Sequence, residues 1–185
     1  NFERHSIEFL DEAQVRALEK ARFSSESLSH ARDLFLFQVY TGMAYSDLAS
    51  FDADKVGEWK EFRCLQDERV KTGIGYFVPL DSGARALLAK WDQRCPRVYS
   101  NQVYNRLLKE IGMVVDIKAN LTTHLARRTA GMRWLNMGYS MESVSRMLGH
   151  GKLQTTQQSY ARVRPERILR ESRELQKKRK KKGKG

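Results

Sequence analysis

The residues His124-Leu125-Ala126-Arg127, Leu148-Gly149-His150 and Thr155-Thr156-Gln157-Gln158-Ser159-Tyr160-Ala161-Arg162-Val163 decide how this chain is read. In that order they offer cationic donors, acid/base groups and a phenolic nucleophile, the set that phosphoryl transfer requires. A phosphodiester spreads one negative charge over two non-bridging oxygens, and that charge grows in the transition state. Cations fixed beside those oxygens therefore lower the barrier. Arg127 and His150 suit that task. A tyrosine hydroxyl can attack phosphorus in line and divide one difficult step into two through a covalent intermediate. With a reference pKa near ~10, only about one phenol in ~1000 is ionised at neutral pH, a deficit of about 4 kcal/mol. The proton of Tyr160 therefore needs an acceptor. His124 lies three residues before Arg127, and on a helix over 122–136 positions i and i+3 share a face. That spacing brings an imidazole and a guanidinium to one phosphate.

Outward from this stretch, periodicity predicts a mainly α chain with a small antiparallel β-sheet. Val15, Leu18 and Phe23 behind Asp11-Glu12 predict a first helix, and the apolar run over 28–40 a largely buried second one closing near Gly42. Residues 56–62 and 76–80, punctuated by Gly57, Gly73, Gly75 and Pro79, read as strands, with Lys71-Thr72-Gly73 near a hairpin turn. Further helices are expected over 82–91, 101–115, 122–136 and 140–148, the last stopped by Gly149. A short helix carries Tyr160, and Pro165 opens a final one in which Ile168 and Leu169 could dock.

The chain has 185 residues, 41% of them hydrophobic, enough for one compact domain. Of its net charge of +12, seven units come from Lys177, Lys178, Arg179, Lys180, Lys181, Lys182 and Lys184, leaving a moderately basic body at +5. The basic run brings no apolar surface and repels itself, so it reads as a solvated tail with non-specific DNA affinity. No apolar stretch reaches 18 residues and no signal-peptide pattern is present, which predicts a cytoplasmic protein without a membrane partner. Cys64 and Cys95 lack ligand spacing, as do His5, His30, His124 and His150, so no metal is expected. The absence of phosphate-loop and dinucleotide fingerprints predicts no cofactor.

At this point the chain resembles the tyrosine recombinases, or phage integrase family, along nearly its whole length. Thr41-Gly42-Met43 with Tyr45-Ser46-Asp47-Leu48 looks like the family's first box. Val70-Lys71-Thr72-Gly73 followed by Phe77-Val78-Pro79-Leu80 is similar to its lysine hairpin, and His124-x-x-Arg127, Leu148-Gly149-His150 and Tyr160 follow in order. The Tyr45-Ser46-Asp47-Leu48 text is similar to integrases of conjugative transposons.

The resemblance implies the catalytic-domain fold over 1–176, a tail over 177–185, and a helical N-terminal DNA clamp missing from this chain. It also implies that 166–175 packs on a neighbouring protomer. The activity implied is site-specific cleavage and rejoining of DNA. Tyr160 would be the nucleophile, Arg127 and His150 stabilisers of the phosphorane, His124 a proton-transfer aid and Lys71 the acid for the leaving 5′-oxygen. The partners implied are double-stranded DNA, four copies of the chain on that DNA with a monomer in isolation, and DNA-bending accessory proteins. The reaction would take place on the bacterial nucleoid.

Two departures qualify this expectation. Ala44 stands where the family's first arginine belongs, and losing such a donor costs roughly 3 to 4 kcal/mol, or 10² to 10³ in rate. Arg69 is the candidate substitute, because two residues before Lys71 on a strand it would share a face with it; Arg63 and Arg85 are weaker candidates. Tyr160 also follows His150 by ten residues, about one more than the family's pattern. In a helix one residue would rotate the phenol by ~100°, whereas a turn at Gly151 would absorb it. Two alternatives remain: a DNA-binding protein whose catalysis has decayed, and a type IB topoisomerase that reseals the same strand.

Overall fold

The computed structural model describes residues 8–92 and 96–160. His5, Cys95, the helix expected after Pro165, the 166–175 segment and the basic residues 177–184 lie outside them.

The core is organised around one buried helix. Helix α1 spans Glu12–Lys20, α2 spans Glu26–Thr41, and α3 is the short helix Tyr45–Ala49. Ser25 caps α2 by accepting from the Leu28 amide at 3.3 Å, and Gly42 ends it in the left-handed conformation at φ 69°. Between those signals Ala31, Leu34, Phe35, Leu36, Phe37, Val39 and Tyr40 are all buried. Removing such side chains from water contributes about 1.5–3 kcal/mol each, which makes α2 the helix on which the others assemble. The first helix ends at Lys20, so Phe23 packs on the core from the loop that follows.

The sheet has three antiparallel strands in sequence order: β1 (Val56–Trp59), β2 (Phe62–Glu68) and β3 (Gly75–Pro79). The single strand expected over 56–62 is therefore two strands, turned at Lys60-Glu61 with Lys60 at φ 54°. Pairing of Leu65 with both Val56 and Val78 turns these three toward the core, and Leu65 and Val78 are fully buried. Helices α4 (Ser82–Lys90), α5 (Asn101–Val114) and α6 (Thr123–Met137) pack against α2, and α7 (Met141–Leu148) packs on β3. Helix α8 (Leu153–Tyr160) closes onto α6 and α7. No helix among the described residues is long and apolar enough to cross a membrane.

Candidate active site

Arg127 ties two helix ends together. Its Nη1 donates to the carbonyl of Gly42 at 2.6 Å and its Nη2 to that of Leu148 at 2.5 Å. Both oxygens belong to the C-terminal ends of helices, α2 and α7, where carbonyls lack intrahelical donors and the dipole favours a cation. The Thr41-Gly42 and Leu148-Gly149 motifs thus meet because one guanidinium caps both. Burial, and next the cation of Arg69, lower the Arg127 pKa to about 10, so it stays charged at neutral pH.

The end of α7 also aims His150. Gly149 sits at φ 62°, its amide donates to Arg146 and the His150 amide donates to Ser145, a Schellman ending that turns the chain sharply. The His150 Nδ1 lies 2.7 Å from the hydroxyl of fully buried Thr156. Burial and the cations of Arg127 and Arg69 push the His150 pKa down to about 4. The ring is therefore neutral at pH 7. When Thr156 donates to Nδ1, the ring's hydrogen is left on Nε2 and can be offered to an anion.

Arg69 approaches from the hairpin by a route other than strand alternation. Strand β2 ends at Glu68, and Arg69 pairs with Ile74 at the base of the loop, its amide donating to the Ile74 carbonyl at 3.0 Å. Its side chain passes over Gly149, where a Cβ would lie 2.7 Å from Arg69 Cγ. Only glycine fits there, both for the close approach and for the positive φ. Nη1 of Arg69 stands 2.8 Å from Oδ2 of Asp47, a charge contact outside hydrogen-bond alignment. Asp47 is 1% exposed, and it also accepts from the Val70 amide at 3.0 Å and the Ala44 amide at 3.3 Å. One buried carboxylate thus clamps the hairpin base to the box that lacks an arginine. Lys71 stands exposed in the turn beyond, so the shared strand face expected for Arg69 and Lys71 does not occur: the strand stops before either.

Tyr160 closes the site from α8. The turn at 150–152 precedes a helix starting at Leu153, so Thr156 and Tyr160, one turn apart, share its buried face. The Tyr160 ring is 4% exposed and its hydroxyl rests against Gly131 of α6, where an added Cβ would collide with the oxygen and lie 2.5 Å from Cζ. Burial raises the Tyr160 pKa to about 12, against the opposing pull of Arg127 and Arg128.

His124 is exposed at the rim, two residues into α6. Desolvation, then Arg128 and Arg127, hold its pKa below the ordinary histidine value. The structure thus brings Arg127, His150, Arg69 and Tyr160 together, with His124 beside them and Lys71 at the edge. Arg63 lies six residues along the strand from Arg69, roughly 20 Å away at strand rise, and Arg85 is exposed on α4. Ala44 caps α3 with no side-chain bond. Sequence reasoning did not single out Asp47, Arg128, Gly131 or Thr156. A glycine inside a helical pattern signals a close packing partner, and that cue could have found Gly131.

Comparison with known proteins identifies the family and the fold. No curated protein matches the chain. The phage integrase family matches over residues 8–167. XerA recombinase superposes with a TM-score of 0.70 at 17% identity, covering 92% of this chain and 66% of that one. XerH site-specific recombinase, in a post-cleavage complex with palindromic difH substrate, gives 0.70 at 15% identity, covering 90% and 52%. The Tn1549 transposon integrase, in complex with transposon right end DNA, gives 0.68 at 15%, covering 94% and 67%. The chain spans less than two thirds of the first two recombinases. At these identities the structures speak for the fold, which is that of a tyrosine recombinase catalytic domain, and the family match speaks for descent. The chain belongs to the phage integrase family.

Proposed function

We propose, with membership of the phage integrase family as the premise, that this chain carries the strand-cleaving and rejoining site of a site-specific DNA recombinase. The observation that supports it most is an excess of positive charge that one buried carboxylate only partly offsets. Arg69 lies close enough to add to the burial that lowers the Arg127 pKa, and both guanidiniums add to the burial that lowers that of His150, while Asp47 is the carboxylate paired with Arg69. A phosphodiester supplies the negative charge that would balance the remaining excess.

In this reading the hydroxyl of Tyr160 attacks the scissile phosphorus, forming a 3′-phosphotyrosyl bond as the bond to the 5′-oxygen breaks. Arg127, Arg69 and the Nε2 hydrogen of His150 stabilise the phosphorane. His124, whose pKa burial and then its cationic neighbours hold below the ordinary histidine value, takes the phenol proton, and Lys71 on the hairpin protonates the leaving 5′-oxygen. A phenol of pKa about 12 forfeits roughly 7 kcal/mol at neutral pH. The hydroxyl must therefore leave Gly131 and enter the cationic cluster before it attacks. A 5′-hydroxyl of a second duplex reverses the step and exchanges strands. The reading extends to double-stranded DNA of a mobile element, four copies acting in pairs, and accessory proteins that bend the DNA.

Strand transfer tests it against simple resealing. The chain is incubated in EDTA with a pool of nicked random duplexes and a labelled duplex bearing a free 5′-hydroxyl. Label joined to a new strand supports a recombinase. Nicks resealed only to their original partners indicate a topoisomerase-like enzyme, and DNA binding without either indicates a decayed binder, the reading that Ala44 favours.

A further inference from the structure

The outward face of the three-stranded sheet belongs neither to the core nor to the candidate active site. Trp59 and Phe62 stand on it 58% and 54% exposed, and the Trp59 and Phe77 rings meet edge to face at 5.9 Å. An open groove of about 910 Å³ runs beside them, and Asp54, Glu58, Asp67 and Glu68 border it. Lys55, paired with Asp67 at 3.5 Å, and Arg146 at the far side leave the groove two carboxylates in excess. Asp54, Glu58 and Glu68 form no ion pair among the described residues. An aromatic floor with a negative rim, on a chain of net charge +12, repels DNA and suits an extended cationic peptide. Trp59 offers the aromatic face over which lysine and arginine gain roughly 0.5–1 kcal/mol each at an exposed site.

We propose that this groove binds the chain's own basic segment, Lys177, Lys178, Arg179, Lys180, Lys181, Lys182 and Lys184, and withholds it from DNA until a duplex competes for it. Charge complementarity identifies the occupant, because these residues carry seven of the chain's positive charges in eight positions. Sixteen residues, 161–176, connect Tyr160 to this segment. The groove also adjoins the hairpin. Glu68 and Gly75, on its rim, form the last strand pair before the loop that carries Lys71. DNA arriving at the hairpin therefore meets the docked segment, and its phosphates outcompete four carboxylates. The docking stands apart from the recombinase reading; the competition with DNA rests on it.

Two measurements on the full chain separate these parts. An equal mixture of unlabelled and ¹⁵N-labelled protein, without DNA and at low ionic strength, is treated with carbodiimide, digested with chymotrypsin and mapped by mass spectrometry. The expected result is amide cross-links from the basic segment to Glu58, Asp67 or Glu68 within single isotopic species, lost at high salt and weakened several-fold by Trp59→Ala. Cross-links of mixed isotope would mean that a second copy's segment occupies the groove, and coupling only to other carboxylates would mean that nothing basic does. Either overturns the docking. In Glu58→Gln/Glu68→Gln, affinity for random duplex should then rise about fivefold at low salt, with a steeper salt dependence as the freed cations reach phosphates. Unchanged affinity alongside intact wild-type cross-links would overturn the withholding while leaving the docking in place.

Discussion

The hydroxyl of Tyr160 rests against Gly131, one helical turn beyond Arg127 on the same face of α6. In the proposed reaction the nucleophile is thus parked on the helix that carries the arginine assigned to the phosphate, close to its place of work and held off it by packing. Glycine inside a helix costs about 1 kcal/mol relative to alanine, and here that cost creates the seat.

Gly131→Ala should displace the phenol. Because the colliding atoms are the far end of a movable side chain, stability should change by under about 1 kcal/mol. Tyr160 should become several-fold more reactive to tetranitromethane, and its pKa should fall from about 12 toward the ordinary value. Nitration unchanged from wild type would mean that the seat does not hold the ring.

Arg69→Ala should lower cleavage by roughly 10² or more if it replaces the arginine absent at Ala44. Restoring the family's arginine in Ala44→Arg/Arg69→Ala should recover at least about tenfold of that loss. A loss below about threefold in the single variant removes Arg69 from the reaction. Asp47→Asn should act in the same direction, since it frees both the guanidinium and the Val70 amide.

Arg127→Ala should cost stability as well as activity. It strands the Gly42 and Leu148 carbonyls at two helix ends, for a penalty of about 3 kcal/mol, or roughly 6–12 °C in Tm for a domain of this size. Thermal unfolding of the variant checks this. An unchanged Tm would show that the guanidinium does not brace the two helices.

Side-chain NMR titration should find His150 neutral until pH falls to about 4. The sign for stability follows from its lowered folded-state pKa. Between about 4 and the ordinary histidine value the unfolded chain binds the proton and the folded one does not, so stability falls as pH drops through that window. A bound phosphodiester should raise the His150 pKa by placing negative charge beside the ring, and Thr156→Val should perturb the tautomer. Titration of His150 near 6.5 in the free protein would contradict the burial and cationic surroundings described here.

How much of this was legible in the sequence depends on how each element announces itself. Helices α2, α6 and α7 carry capping side chains and terminal glycines, and their bounds follow from those signals. Arg127, His150 and Tyr160 were named from residue type, spacing and the family resemblance, and of their motifs only Leu148-Gly149-His150 contains one of these caps. Strand β2 was merged with β1 because the turn between them uses Lys60, a residue without turn chemistry, at positive φ. Helix α3 is five residues long and Ala44 before it offers no side-chain cap, which leaves the Asp47 carboxylate on the Ala44 amide as its local mark. Arg69 was named for the wrong geometry: its approach depends on Asp47 and Gly149, residues 22 positions before it and 80 after it, a relation no window of sequence contains.

The central claim is that Tyr160 forms a covalent bond to DNA. The full chain is incubated in EDTA with a pool of nicked random duplexes, quenched in detergent, treated with nuclease and digested, and the Tyr160 peptide is weighed. The account predicts a nucleotide adduct on Tyr160 that disappears in Tyr160→Phe while DNA binding persists. DNA bound at equal affinity by both proteins with no adduct on any tyrosine would contradict it.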